Sequence, residues 1–194
     1  MACIHRHFFN ERTDSYFGIL VTTGEFAHMR LKLEIVGSNI PSLVDEARGL
    51  FLEYAKSLNF SLHFQDFDKE LSELPGAYSL PSGRLIVAFD GEEAVGCVAL
   101  RRIDAETCEM KRLFVRPSHR ARGLGRTLAL RVIREARDAG YARMRLDTLS
   151  SMIEAVSLYR SLGFKEIPQY RPNPIEGALF MELPLTTQVE PGSV

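Results

Sequence analysis

Leu113-Phe-Val-Arg-Pro117-Ser-His-Arg120-Ala-Arg-Gly123-Leu-Gly-Arg126 is the stretch on which the reading of this chain turns. Its first residues extend the run Cys108–Arg112, and Pro117 closes it, which predicts a strand over Cys108–Val115. Its last residues open a helix from Gly123 to about Ala139, with Leu128, Val132, Ile133 and Ala136 on one face and Gly140 at the C-terminal cap position. Between strand and helix lies an Arg- and Gly-rich loop. A helix start leaves N–H groups unbonded and carries partial positive charge. Glycines let a phosphate approach those N–H groups, and arginines add charge-assisted bonds. Arg120, Ala121, Arg122, Gly123, Leu124, Gly125 and Arg126 therefore form a candidate pyrophosphate cradle. A Walker loop does not fit, because position 120 is Arg and the lysine is missing. A dinucleotide fingerprint does not fit either, because position 128 is Leu.

Outward from that segment the pattern alternates between the two periods. Arg30–Val36 alternates as a strand, and Ser38 or Asn39 is placed to cap a helix that carries Leu43, Ala47, Leu50, Tyr54 and Leu58. A shorter helix follows at Phe67–Leu74 and stops at Pro75-Gly76. Arg84–Phe89, Ala94–Ile103 and Cys108–Val115 are joined by short polar turns, as in an antiparallel meander. After the helix come a strand at Ala142–Thr148 and a helix opened by the capping-box spacing Ser151-Met-Ile-Glu154. Strands at Lys165–Ile167 and Ala178–Leu183 end the pattern. This order predicts an α/β fold, with a mixed, mostly antiparallel central sheet and helices on both faces. Residues 29–183 read as one domain, 1–28 as an extension without clear period that leaves Met29 open as a start, and 184–194 as a polar tail.

Composition narrows the class. The 194 residues are 45% apolar and 25% charged, ordinary for a globular protein, and the net charge is −1. No apolar run approaches the roughly 18 residues that span a bilayer, and no secretory signal is legible, so the expected setting is cytoplasmic, with no membrane partner. Cys3, Cys97 and Cys108 form no paired spacing, and His5, His7, His28, His63 and His119 form no ligand motif, so no metal site is expected.

The stretch from Leu113 to Gly125, with its R-x-x-G-x-G core, resembles motif A of the GNAT superfamily, the acyl-CoA-dependent N-acetyltransferases. Ala155-Val-Ser-Leu-Tyr159-Arg-Ser-Leu-Gly163-Phe164 is similar to that family's A-x-x-L-Y-x-x-x-G-F signature. The resemblance covers about Leu31–Leu183 and is strongest over 108–164. It implies a GNAT-like fold and acetyl transfer from acetyl-CoA directly to a primary amine, with no metal. It also implies that the strand before the cradle splays from its neighbour. Pantetheine would lie in the gap against the backbone of Leu113, Phe114 and Val115, and an N–H near Val115 would stabilise the oxyanion. The N–H groups of Arg122 to Arg126 would hold the pyrophosphate. By the same resemblance Glu109 is the general base, working through a water on an amine that arrives protonated, and Tyr159 is the acid that protonates the departing thiolate. Met152 departs from the family, which often has Asn there.

The acceptor pocket is expected between the Tyr54–Leu74 region and the loop Tyr170–Gly177, with Phe60, Phe64, Phe67 and Tyr170 as walls. Residues 109–145 hold 11 Lys and Arg against 3 Asp and Glu, a basic segment in an acidic body. That division suits a polyanionic donor and a cationic amine. A non-catalytic acyl-CoA sensor on the same fold is the alternative, against which the retention of both Glu109 and Tyr159 counts. A nucleic-acid binder lacks the expected aromatic interleaving around Arg112–Arg126. Members of the family are often dimers, so a homodimer stays open, and the identity of the acceptor is not legible.

Overall fold

The computed structural model describes residues 30–37, 39–58, 62 and 66–185. The expectations for residues 1–28, Met29, Ser38, Phe60, Phe64 and 186–194 lie outside the described residues. The elements in chain order are β1 (Leu31–Ile35), α1 (Pro41–Ser57), α2 (Phe67–Ser72), β2 (Arg84–Asp90), β3 (Glu93–Arg102), β4 (Thr107–Val115), α3 (Leu124–Asp138), β5 (Arg143–Leu149), α4 (Ile153–Ser161), β6 (Lys165–Ile167) and β7 (Ala178–Pro184). The seven strands form one sheet in the order β1-β2-β3-β4-β5-β7-β6. Every neighbouring pair is antiparallel except β4–β5, where α3 serves as the crossover.

The period-2 pattern of β2 shows how the sheet feeds two cores. Ile86 and Ala88 face the cluster built on Leu124, Leu128, Val132 and Ala136 of α3 and Tyr159 of α4. Leu85, Val87 and Phe89 face the cluster built on Leu43, Ala47, Leu50 and Phe51 of α1. The mixed sheet with helices on both faces is thus the observed architecture. Gly96 of β3 allows close approach at its centre: a Cβ there would stand 2.7 Å from the Phe114 carbonyl oxygen and 3.2 Å from Leu128 Cδ1.

Three boundary expectations are corrected. Asn39 does not cap α1; the N-cap is Ile40, with no side-chain bond, and Pro41 starts the helix. Ser151 does not close a capping box either, because α4 starts one residue later with Met152 as its N-cap. The domain also runs past 183: Pro184 ends β7, and Leu185 is buried, its N–H donating to the Ala142 carbonyl. Among the described residues no helix is long and apolar enough to cross a membrane.

Candidate functional site

β4 and β5 begin as neighbours and then part. Their ladder holds only Thr107↔Arg143, Cys108↔Met144 and Glu109↔Arg145, although β4 continues to Val115 and β5 to Leu149. The cause lies within β4. Across β3, Cys97 pairs with Phe114 but Ala99 pairs with Lys111, so β4 carries one extra residue. Arg112 in that bulge has φ +55. A bulge bends its strand and increases local twist, which carries the second half of β4 away from β5. A left-handed conformation costs a non-glycine residue about 1–3 kcal/mol, so it needs holding in place. The buried Arg112 guanidinium is held by Glu70 of α2 through two hydrogen bonds and lies 5.2 Å from the Phe67 ring centre. Glu70 also accepts the Tyr78 hydroxyl at 2.7 Å. Burial works against ionisation of Glu70, but the Arg112 guanidinium outweighs it and holds the carboxyl below its usual range.

The gap is a cleft open to solvent. Met110–Leu113 line one side and Asp147–Leu149 the other, with Met152, Ala155 and Tyr159 of α4, Tyr54 of α1, and Asn173 and Ile175 of the β6–β7 loop. Leu113 lines it and, like Val115 two residues on, is half-buried, whereas Phe114 belongs to the core on the other face, against Tyr54. Tyr159 packs edge-on against Phe164, and burial holds its phenol well above the ordinary range. Met152 lines the cleft, its sulfur 3.7 Å from the donating Thr148 hydroxyl.

At the end of β4 the chain makes a short turn at Pro117–His119 and reaches Ala121 and Gly123, both at positive φ (+59 and +76). Gly123 is the N-cap of α3, a backbone state that glycine adopts at little cost. The Thr127 N–H donates to the Gly123 carbonyl at 3.0 Å and closes the first turn. The N–H groups of Leu124, Gly125 and Arg126 precede that bond, at the stage of a helix where donors have no intrahelical acceptor. A Cβ at Gly125 would stand 3.9 Å from both Val115 Cγ2 and Leu158 Cδ2, so the helix start packs beside the end of β4 and α4. Arg120, Arg122 and Arg126 are exposed around it. Arg120 Nε donates to the Val115 carbonyl at 2.9 Å, and Arg126 donates to Ser161 Oγ at 2.8 Å.

Glu109 is not part of this cleft. It is fully buried at the closed end of the β4–β5 ladder. Arg101 Nε donates to its Oε2 at 2.7 Å, the Tyr170 hydroxyl donates to its Oε1 at 2.7 Å, and Arg171 Nε lies 3.0 Å from Oε1. Both Glu109 oxygens are thus engaged, by two arginines and a phenol. Tyr170, expected as a pocket wall, is the phenol that seals it, and Phe67 is core beneath Arg112.

Sequence reasoning missed the charged floor of the cleft. Lys111 Nζ lies 3.5 Å from Asp147 Oδ1, which Arg171 also bonds, and Asn173 Nδ2 donates to Asp147 Oδ2 at 3.0 Å. Burial pushes Lys111 down to about 8. Burial also opposes ionisation of Asp147, but Lys111 and Arg171 hold it below its usual range. The available signal was three charges, Glu109, Lys111 and Arg112, inside a strand whose other residues are mostly apolar. Among the described residues no group of three or more His, Cys, Asp or Glu is placed to hold a metal.

Comparison with known proteins bears directly on this geometry. Residues 46–164, more than half of the chain, match the acetyltransferase (GNAT) family. An uncharacterised N-acetyltransferase of Schizosaccharomyces pombe is 37% identical over 156 residues, covering 79% of this chain and 96% of its own length. Human N-acetyltransferase 8 is 35% identical over 106 residues, covering 52% of this chain and 47% of its own length. Among solved structures, an acetyltransferase from Streptococcus agalactiae superposes with a TM-score of 0.66 at 24% identity, covering 79% of this chain and 98% of its own. The PaiA N-acetyltransferase of Thermoplasma acidophilum, solved in complex with coenzyme A, superposes with a TM-score of 0.60 at 20% identity, covering 80% and 99%.

Proposed function

The chain belongs to the GNAT family of acetyltransferases, and from that premise we propose how its cleft carries out transfer from acetyl-CoA to an amine. It is an acetyl-CoA-dependent N-acetyltransferase. The observation that supports the site assignment is the coincidence of two features: a β4–β5 ladder that stops at Glu109↔Arg145, and a glycine-capped helix start that follows the end of β4. The opening offers the strand backbone of Leu113 and Val115 to the amides of pantetheine. The first-turn N–H groups of α3, with Arg120, Arg122 and Arg126, would hold the pyrophosphate. Open space beside Gly123 fits the approach of a phosphate. When bound, the donor supplies an activated acetyl group and a thiolate leaving group.

Each residue then has a definite task. A backbone N–H near Val115 stabilises charge developing on the thioester oxygen. Tyr159 would give its proton to the departing thiolate and regain one from solvent, a step that burial of the phenol works against because it disfavours the tyrosinate. Glu109 orients Arg171 and Tyr170 from behind the cleft, and the amine loses its proton to water through the open mouth. Met152 replaces a hydrogen-bonding contact with an apolar one. A setting in the cytoplasm and a homodimeric state are part of the same reading.

Two measurements test it. Release of free CoA should depend on both acetyl-CoA and an amine; tight acetyl-CoA binding without turnover on any amine class would favour a sensor. Gly125→Ala separates cradle from fold. Its Cβ has room in the protein alone, and alanine is the better helix former. The variant should therefore keep its melting temperature while CoA binding weakens about tenfold or more. Unchanged binding by calorimetry would remove the helix start from the pyrophosphate site.

A further inference from the structure

The two faces of the gap are lined differently. On β4, Met110 belongs to the core that α3 and Tyr159 complete, and beyond the bulge Leu113 packs against that same core. On β5, Met144 and Leu146 belong to it as well, and alternation places Thr148 next in their row, at the open end of the strand. Toward α4 the cleft is lined by Met110, Leu113, Thr148, Met152, Ala155 and Tyr159. The charged residues Lys111, Arg112 and Asp147 are engaged by one another and by Glu70 and Arg171. Two side chains on the α4 side carry a hydroxyl. In the reading above Tyr159 serves the leaving sulfur, and Thr148 has no task.

Thr148 is buried, at 8% exposure, and its hydroxyl donates to Met152 Sδ at 3.7 Å. A thioether is a weak acceptor. Buried hydroxyls ordinarily find strong partners, and one left with a weak partner costs stability that an apolar side chain of the same shape would not. A hydroxyl kept in this state at the wall of a cleft points to an acceptor that arrives with the ligand. We propose that Thr148 is a binding residue for acetyl-CoA, its hydroxyl leaving the Met152 sulfur to donate to an amide carbonyl oxygen of pantetheine. The proposal rests on the placement of pantetheine in this gap. It gives the arm a side-chain contact from β5, across from the strand backbone of Leu113 and Val115. Met152, which cannot donate a hydrogen bond, then serves as the resting acceptor that keeps the Thr148 hydroxyl oriented.

The test is calorimetry on Thr148→Val with two ligands, CoA and 3′-phospho-ADP, the nucleotide of CoA without its pantetheine arm. Valine keeps the shape of threonine and removes the hydroxyl. CoA affinity should fall about 3- to 10-fold, the range of one neutral hydrogen bond. Affinity for 3′-phospho-ADP should stay as in the wild type, and the melting temperature of the free protein should not fall. Thr148→Ser, which restores a hydroxyl, should bind CoA as the wild type does. The loss on Thr148→Val should recur in a Met152→Leu background, because the hydroxyl serves the ligand and not only the sulfur. Unchanged CoA affinity, an equal loss with 3′-phospho-ADP, failure of serine to restore binding, or disappearance of the loss in the Met152→Leu background would each overturn the proposal. A wild-type protein that binds CoA no more tightly than 3′-phospho-ADP would overturn the placement of pantetheine in the gap, and the proposal with it.

Discussion

Tyr159 and Glu109 carry the same kind of expectation from sequence, and the structure separates them. Tyr159 lines the cleft with a phenol that burial keeps protonated. Replacing it with Phe preserves the edge-on contact with Phe164 and removes only the hydroxyl. Tyr159→Phe should therefore lower kcat by about 10²–10⁴-fold, with little change in acetyl-CoA affinity. An unchanged kcat in steady-state assays would dismiss it as the acid. Glu109 shows what one sequence cannot give. Its position along β4 was legible from its distance to Gly123. Its burial depends on Arg101, Arg171 and Tyr170, which come from a neighbouring strand and from a loop more than 60 residues downstream. A carboxylate's chemistry follows its partners, and those partners are set by folding rather than by local pattern.

At the scale of elements, the periodic segments were legible and their ends were not. The strands and the long helices follow alternation and 3.6-residue spacing, which are local properties. The bulge in β4 has no such signature: Lys111-Arg112-Leu113 reads as ordinary strand, yet it opens the cleft. Its stability rests on α2, through Glu70. Glu70→Gln would leave the Arg112 guanidinium buried without its counter-charge, a change that costs about 3–5 kcal/mol in comparable buried pairs. Denaturant unfolding should show this loss. The pH dependence has a definite sign. The Glu70 carboxyl sits below its unfolded value, so its contribution is full above about pH 4.5 and disappears as pH falls through the folded value. The wild-type protein should lose that stability in acid, and Glu70→Gln should show a flatter acid limb.

Across the whole molecule, the basic segment 109–145 is largely neutralised from within. Arg112 pairs with Glu70, Arg116 with Glu53 and Glu93, Arg131 with Glu135, Arg143 with Glu106, and Arg145 with Glu182. Among the described residues Arg120, Arg122 and Arg126 make no ion pair. The positive charge visible in the sequence is thus concentrated where a polyanion would dock. Raising ionic strength from about 0.05 to 0.5 M shortens the screening length several-fold. The Kd for CoA should rise several-fold over that range, while the melting temperature of the free protein moves little. A Kd indifferent to salt would show that these arginines contribute little to capture.

The interrupted ladder between β4 and β5 has a consequence for what counts as the folded state. Only three ladder pairs join the β1–β4 leaf of the sheet to the β5–β7–β6 leaf, although one core runs beneath both. On the placement proposed above, the donor would complete the sheet between them, and the cooperativity of the molecule would become a function of donor concentration. At a hundredfold excess over Kd, mass action adds about 2.7 kcal/mol to stability. Thermal melts should sharpen and shift upward as acetyl-CoA is added, and the amides of Leu113 and Val115 should exchange with solvent more slowly. Without donor, the same chain joins its two leaves through that short ladder and the core beneath it.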